Sequence, residues 1–303
     1  MKTSRLAFAP FAAAVLLPLC AQAQVYTNET FNNGDVVGSV PSDPLQRTAT
    51  NSTANGVTAL VENSSTAFGG TTNQYVRFQD TSTTAGGGLE YSTEAGVGNL
   101  YARFQFLDAN TTTAANTLFF GIGNASTVAG TIRLNSNANR SFGIEFSSNG
   151  TNGTILLRGG TTGGTGLVSG MYSLTTINTV QLYANDSEAN SLTYTRPDGG
   201  GTALLAPNSA VVYLNGALIG AEPATGYALN QTAGGFGNAA GSDTSLGRFG
   251  FASTTATTPN MLIDNLFVSD IASAGVPEPS TLAAGMVAGL AAGVAALRRL
   301  VRG

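Results

Sequence analysis

The chain has 303 residues, 13 of them basic and 17 acidic, with one cysteine, no histidine and no tryptophan. Lys2, Arg5, Arg298, Arg299 and Arg302 are five of the basic residues and Glu278 is one of the acidic ones, so Gln24–Val276 carries eight arginines against 16 carboxylates, a net charge of −8. That balance excludes nucleic acid as a partner, which needs a basic cluster, and the missing histidine removes the commonest general base and with it the ordinary serine triad.

At the amino terminus, Lys2 and Arg5 precede the apolar run Leu6–Cys20, and Ala21-Gln22-Ala23 supplies small residues at the positions a signal peptidase reads. This predicts a secretory signal peptide over residues 1–23, cleaved after Ala23. The run is short for a bilayer core of about 30 Å and is broken by Pro10 and Pro18, which argues against a first membrane span. Cys20 follows Leu19 rather than the small residue that lipoprotein processing wants. With cleavage after Ala23 the mature chain has no cysteine, so its stability must come from its core.

Residues 24–271 read as one β domain, because short runs of alternating apolar and polar residues are separated by Gly, Asn and Thr turns. In chain order the predicted strands are Gln74–Asp80, Asn99–Asp108, Thr117–Gly123, Thr131–Asn135, Ser141–Ser148 and Thr154–Gly159. They continue with Asn178–Asp186, Ser191–Arg196, Leu246–Ser253 and Met261–Asp270. In Asn99–Asp108, one face collects Leu100, Ala102, Phe104 and Phe106. Val211–Gly220 holds the sharpest local signal: Asn215-Gly216 between two apolar runs predicts a two-residue type I′ hairpin, since both positions need positive φ.

So many strands without a helical period imply a two-sheet antiparallel sandwich, since one sheet cannot bury both its faces. A β-helix is the structural alternative, and it lacks a constant repeat period here. The order of the runs, with "YLNG" at Tyr213–Gly216 and "IDNLFV" at Ile263–Val268, resembles the laminin-G/concanavalin A-like jelly roll. The resemblance implies that the closing strand returns beside the opening stretch Tyr26–Asp35. Arg196–Ser209 is expected to be a long loop within it.

Jelly rolls of this kind include glucanases, lectins and non-catalytic modules, so the resemblance leaves function open. The related glucanases carry a Glu-x-Asp-x-x-Glu strand, whose carboxyl groups lie about 5 Å apart; no such spacing occurs in this chain. Glu90 and Glu145 stand alone in their strands and read as solvated residues or arginine partners rather than catalytic acids. Tyr91, Tyr172 and Tyr227 flank Gly-rich turns, where a sugar ring could stack, though core or edge packing is the blander expectation. No cofactor is expected beyond a structural calcium, for which Asp35 with Asn32 and Asn33, or Asp80, would supply oxygen ligands without the EF-hand spacing.

The carboxyl-terminal segment, 272–303, has three parts. Val276-Pro277-Glu278-Pro279 cannot be helix interior, so Glu278 is held in extended backbone. Ser280 then caps an apolar transmembrane helix over 281–297, in which Gly285, Gly289 and Gly293 share one face. Arg298, Arg299 and Arg302, in the basic tail 298–303, act as the membrane stop signal and stay on the cytoplasmic side. With the signal peptide, these parts resemble the PEP-CTERM proteins, exported bacterial proteins that often associate with exopolysaccharide in a biofilm matrix. The resemblance implies recognition of the tail by an exosortase and release from the inner membrane to the cell surface or matrix.

The sequence therefore predicts an exported, exosortase-sorted and non-catalytic envelope or matrix protein that binds carbohydrate weakly. Its partners would be the secretion machinery, the exosortase and, transiently, the inner membrane, with exopolysaccharide as ligand. The alternatives are a polysaccharide-degrading enzyme on the same scaffold, and a surface protein anchored permanently by its helix.

Overall fold

Alternation at period two makes strands such as Asn99–Asp108 amphipathic, and two sheets must then meet face to face to bury their apolar sides. The computed structural model of the protein describes residues 23–271 except 44–45, 50–55, 64–66, 70–71, 111–116, 125–133, 137–138, 160–164, 223, 230–245 and 256. Its strands are β1 (Val25–Glu29), β2 (Gln46–Ala49), β3 (Val57–Asn63), β4 (Gln74–Asp80), β5 (Gly88–Val97) and β6 (Asn99–Asp108). They continue with β7 (Leu118–Asn124), β8 (Arg140–Ser148), β9 (Gly153–Gly159), β10 (Thr165–Tyr172), β11 (Asn178–Asn185) and β12 (Leu192–Thr195). The last six are β13 (Thr202–Leu205), β14 (Ser209–Leu214), β15 (Ala217–Ile219), β16 (Tyr227–Ala228), β17 (Leu246–Ala252) and β18 (Asn260–Ser269).

One sheet runs β15-β14-β11-β6-β18-β4-β3, with β1 beside β18 and β16 beside β14. The other runs β10-β9-β8-β7-β17-β5-β2, and β12 pairs with β13 as a separate hairpin. Every pairing is antiparallel. The closing strand does lie beside the opening one, Val25 opposite Ser269 and Glu29 opposite Leu266. No described residue belongs to an α-helix.

The inward residues of both sheets share one core. Phe104 of β6 lies 4.7 Å from Phe120 of β7 and 5.0 Å from Phe251 of β17, and Phe106 lies 4.8 Å from Phe146 of β8, ring centre to ring centre. Such edge and tilted pairs each add about 0.5–1.5 kcal/mol to the area they bury. The predicted hairpin forms as expected, with φ of 52° at Asn215 and 82° at Gly216. Asn215 also fixes the neighbouring strand: its amide N–H donates to the Thr179 carbonyl, and its Oδ1 accepts from the Thr179 N–H, both at 2.8 Å.

Two expectations need correction. Arg196–Ser209 is not a continuous loop, because Thr202–Leu205 returns as β13 against β12 after a turn at Pro197-Asp198. The hairpin covers part of the outer face of the nine-stranded sheet, where Tyr194 and Leu205 pack on Tyr183, Val211 and Tyr213. The Tyr194 and Tyr213 hydroxyls meet at 2.8 Å. The predicted strand Thr131–Asn135 falls mostly outside the described residues, and its end, Leu134-Asn135, lies in a turn. Leu134 is apolar for another reason: it is fully buried, and its N–H donates to Glu90 Oε1 at 2.8 Å.

Candidate carbohydrate-binding face

Of the residues singled out at the two ends, Ala23 is the first that the structure describes. Ala21, Val276, Pro277, Glu278, Pro279, Arg298, Arg299 and Arg302, like the apolar run 281–297, lie outside the described residues. Among the described residues, no helix is long and apolar enough to cross a membrane.

The carboxylates that could have done acid-base chemistry are committed to arginines. Glu90 is fully buried and accepts from Arg248 Nη1 at 2.8 Å, while Glu145 pairs with Arg158. They lie on the outer face of the seven-stranded sheet, where Gly250, Gly121 and Gly143 stand opposite one another on β17, β7 and β8. This glycine track leaves room for a second buried arginine. Arg140 crosses it, 3.9 Å above the Phe119 ring, and donates to the Leu134 carbonyl at 3.0 Å. Burial, with Arg158 nearby, pushes the Arg140 guanidinium down to about 10. A Cβ at Gly121 would sit 3.0 Å from Arg140 Cδ, so any larger residue there displaces it.

The tyrosines and calcium candidates are also accounted for. Tyr91 and Tyr172 are core residues, the latter donating to Asp108 Oδ2 at 2.6 Å, and Tyr227 is half-buried, its hydroxyl accepting from the Ala221 N–H. Asp35 accepts from the Ser42 N–H and hydroxyl, Asn32 bonds to Asn73, and Asp80 accepts from the Ser253 hydroxyl. Among the described residues, no three His, Cys, Asp or Glu side chains are grouped to hold a metal ion.

Glu29 is a strongly perturbed carboxyl. Burial, with Asp35 and Asp43 nearby, pushes it up to about 7 from an ordinary 4.5, against the Phe31 N–H that it accepts at 2.7 Å. A folded pKa above the unfolded one means that the folded state holds the extra proton. Glu29 therefore contributes stability below about pH 4.5 that is lost as pH rises through about 7. We expect Glu29→Gln to melt higher than wild type at pH 8 and to flatten the melting profile across that window. Thermal unfolding from pH 4 to pH 8 checks this.

The other sheet presents a different outer surface. The residues of β6 between its inward ones are Tyr101, Arg103, Gln105 and Leu107. Gln181 of β11 and Phe267 of β18 stand opposite Arg103, Tyr183 and Ser269 opposite Tyr101, and Thr179 and Asp264 opposite Gln105. Phe267 faces outward because of a bulge. Met261 and Ile263 point into the core, but so do Leu266 and Val268, and the change of parity is absorbed at Asn265, which has φ of 53°. At the same point β18 exchanges its neighbour, pairing with β4 up to Ile263 and with β1 from Leu266. Asn tolerates this left-handed conformation, whereas a β-branched residue does not. Asn265→Val is expected to cost about 1–3 kcal/mol, and Asn265→Gly much less; urea unfolding of both variants measures the difference.

These residues touch one another. Tyr101 lies 4.8 Å from Tyr183 and 6.1 Å from Phe267, ring centre to ring centre, and the Arg103 guanidinium sits 5.9 Å from the Phe267 ring centre. Gln181 Nε2 donates to the Tyr101 hydroxyl at 3.0 Å, and Asn265 Nδ2 to Gln105 Oε1 at 2.7 Å. Tyr101 and Phe267 are half-buried and Arg103 is exposed. Flat rings bordered by amides can take the apolar face of a sugar and hydrogen-bond its hydroxyls. Two further open grooves lie elsewhere among the described residues. One, of about 290 Å³, has Asp80 as its one lining carboxylate; the other, of about 300 Å³ between β10 and β15, has none.

No family model matches the chain, and no curated protein matches it. Among solved structures it is similar to the carbohydrate esterase vb_24B_21 from the Shiga toxin-encoding bacteriophage phi24B, with 15% identity over 71% of this chain and 88% of that one and a TM-score of 0.43. It is also similar to the globular domain of T. cruzi calreticulin, with 9% identity over 81% and 88% of the two chains and a TM-score of 0.45. Domain 4 of AbnA, an extracellular arabinanase from Geobacillus stearothermophilus, shows 13% identity over 83% and 94% and a TM-score of 0.38. Overlap this partial decides nothing about the site. The strand order itself defines the class of the described residues: an all-β, two-sheet antiparallel sandwich.

Proposed function

We propose that this protein is an exported, non-catalytic component of the cell envelope or extracellular matrix, with a jelly-roll body that binds carbohydrate weakly through the outer face of the nine-stranded sheet. The observation that carries the reading is the cross-strand row Gln181–Arg103–Phe267 with Tyr101 beside it. The non-catalytic part is supported by the arginine pairing of Glu90 and Glu145. Export and sorting rest on the signal peptide and on the Val276–Pro279 motif with its helix and arginines, read by an exosortase at the inner membrane.

The two parts are tested separately. Intact mass of the protein recovered from cells and medium, beside a Glu278→Ala, Pro279→Ala variant, tests sorting. A wild-type mass ending near Val276, with the variant retained full length in the membrane, is expected; a wild-type mass that still includes Arg302 defeats processing. Affinity electrophoresis through gels containing polysaccharide tests binding, with retardation expected for wild type and lost in Phe267→Ala. Release of reducing ends from any of those polysaccharides would overturn the non-catalytic reading.

A further inference from the structure

Among the arginines whose side chains the structure describes, Arg103 is set apart by what surrounds it. Arg77, Arg158, Arg196 and Arg248 each have a carboxylate partner, to Glu62, Glu145, Asp198 and Glu90, and Arg140 is buried over Phe119. Arg103 is exposed and has no carboxylate partner among the described residues. The side chains beside it on the face are the amides Gln181 and Gln105 and the ring of Phe267. The carboxylate in the next row, Asp264, is buried and already accepts from Asn73 Nδ2 at 2.8 Å and the Asn265 N–H at 2.7 Å. A cation in an acidic body, with no carboxylate partner among the described residues and held over a ring, matches a ligand with both a flat apolar face and a negative charge.

We infer that this face takes an anionic, uronate-bearing glycan: Arg103 pairs with the carboxylate while a sugar ring lies against Phe267 and Tyr101. The inference rests on the carbohydrate reading above and sharpens it. A planar guanidinium offers two parallel N–H donors that match a carboxylate, and stacking on an aromatic ring limits the freedom it loses on binding. The net charge of −8 opposes approach of a polyanion from a distance, but beyond roughly 8 Å that repulsion is screened at physiological salt. Contact at Arg103 is not screened to the same degree. The amides provide neutral hydrogen-bonding groups on either side, so no like charge on this row meets the ligand.

The test uses the full-length protein and two polymers with one backbone, polygalacturonate and its fully methyl-esterified form, compared by affinity electrophoresis and by calorimetry with their oligomers. Methyl esterification removes the charge while leaving the ring for stacking. Wild type should prefer the free acid by roughly tenfold or more, as expected for a charge-assisted hydrogen bond. Arg103→Gln should abolish the preference, leaving residual affinity for both forms, with melting unchanged because the side chain is exposed. Equal binding of both polymers by wild type would overturn the anionic inference and keep the carbohydrate reading. Binding of the acid that survives Arg103→Gln would place the charge recognition elsewhere and overturn it as well. Binding of neither, nor of a panel of neutral glycans, would defeat the carbohydrate reading itself.

Discussion

Replacing Glu90 with leucine should lower stability by about 3–5 kcal/mol, the cost of leaving a buried guanidinium without its carboxylate. For a domain of this size that corresponds to a fall in melting temperature on the order of 10 °C. Glu90 and Arg248 are at or near complete burial, 2.8 Å apart, and Glu90 also accepts the Leu134 N–H, so one carboxylate ties β17 to the turn above the sheet. Their attraction is not the whole of the effect, since both charges lose hydration on folding. A paired variant, Glu90→Leu with Arg248→Met, should therefore recover much of what the single change loses. Melting both variants beside wild type separates the two terms. A single variant that melts within a degree of wild type would mean that water or a further partner satisfies Arg248.

Gly250→Ala is expected to be as damaging for a different reason. Gly250 has φ of 146°, where a side chain is strained, and a Cβ there would sit 2.3 Å from the Leu89 carbonyl oxygen and 2.8 Å from Glu90 Cα. Both obstacles are backbone of the paired strand β5, so neither can turn aside. Strain of about 1–3 kcal/mol and overpacking of about 1–3 kcal/mol together predict a loss near 4 kcal/mol. Gly170→Ala is the control: its Cβ would meet only the flexible Ile219 side chain, at 3.4 Å. That change should stay within about 0.5 kcal/mol, as surface substitutions usually do. Urea unfolding of the two variants distinguishes a damaged strand pairing from a general intolerance of added methyl groups.

Much of the sandwich was legible because many of its strands, such as Val57–Asn63, Asn99–Asp108 and Gly153–Gly159, are buried on one side. Gln74–Asp80 and Asn99–Asp108 begin and end where their alternation does. The hairpin at Asn215-Gly216 follows from a backbone requirement that few residue pairs meet. Thr202–Leu205 reads as loop because a four-residue strand offers too little alternation, and the Gly199–Gly201 run masks the Asp-Gly signal of its turn. Thr131–Asn135 misled for the opposite reason, since Leu134 is apolar to roof Glu90 and Arg140, not to line a strand.

The candidate face was not legible. The alternation of Asn99–Asp108 is carried by its inward residues, so Tyr101, Arg103 and Gln105 between them give no signal of their own. Tyr91 and Tyr172, beside Gly-rich turns, resemble exposed stacking platforms although both belong to the core. One signal was present: the apolar positions 261 and 263 shift parity to 266 and 268 across Asp264-Asn265, which marks a bulge and turns Phe267 outward. That Phe267 then meets Arg103 could not be foreseen, because strand register joins segments more than 160 residues apart.

The place of β18 also decides when this protein can fold. It is the last strand of the sandwich to be made, yet it lies inside the nine-stranded sheet, bonded to β6 on one side and to β4 and β1 on the other. Until Asn260–Ser269 arrives, β3 and β4 form a ribbon detached from β6, and β1 has no strand to join. A chain delivered from its amino terminus therefore waits, with most of its length already emerged, for its final strand. Pairings this distant in sequence form slowly, over milliseconds to seconds in comparable β topologies, so the incomplete chain spends that interval with unsatisfied strand edges and depends on prompt completion to avoid pairing with its neighbours.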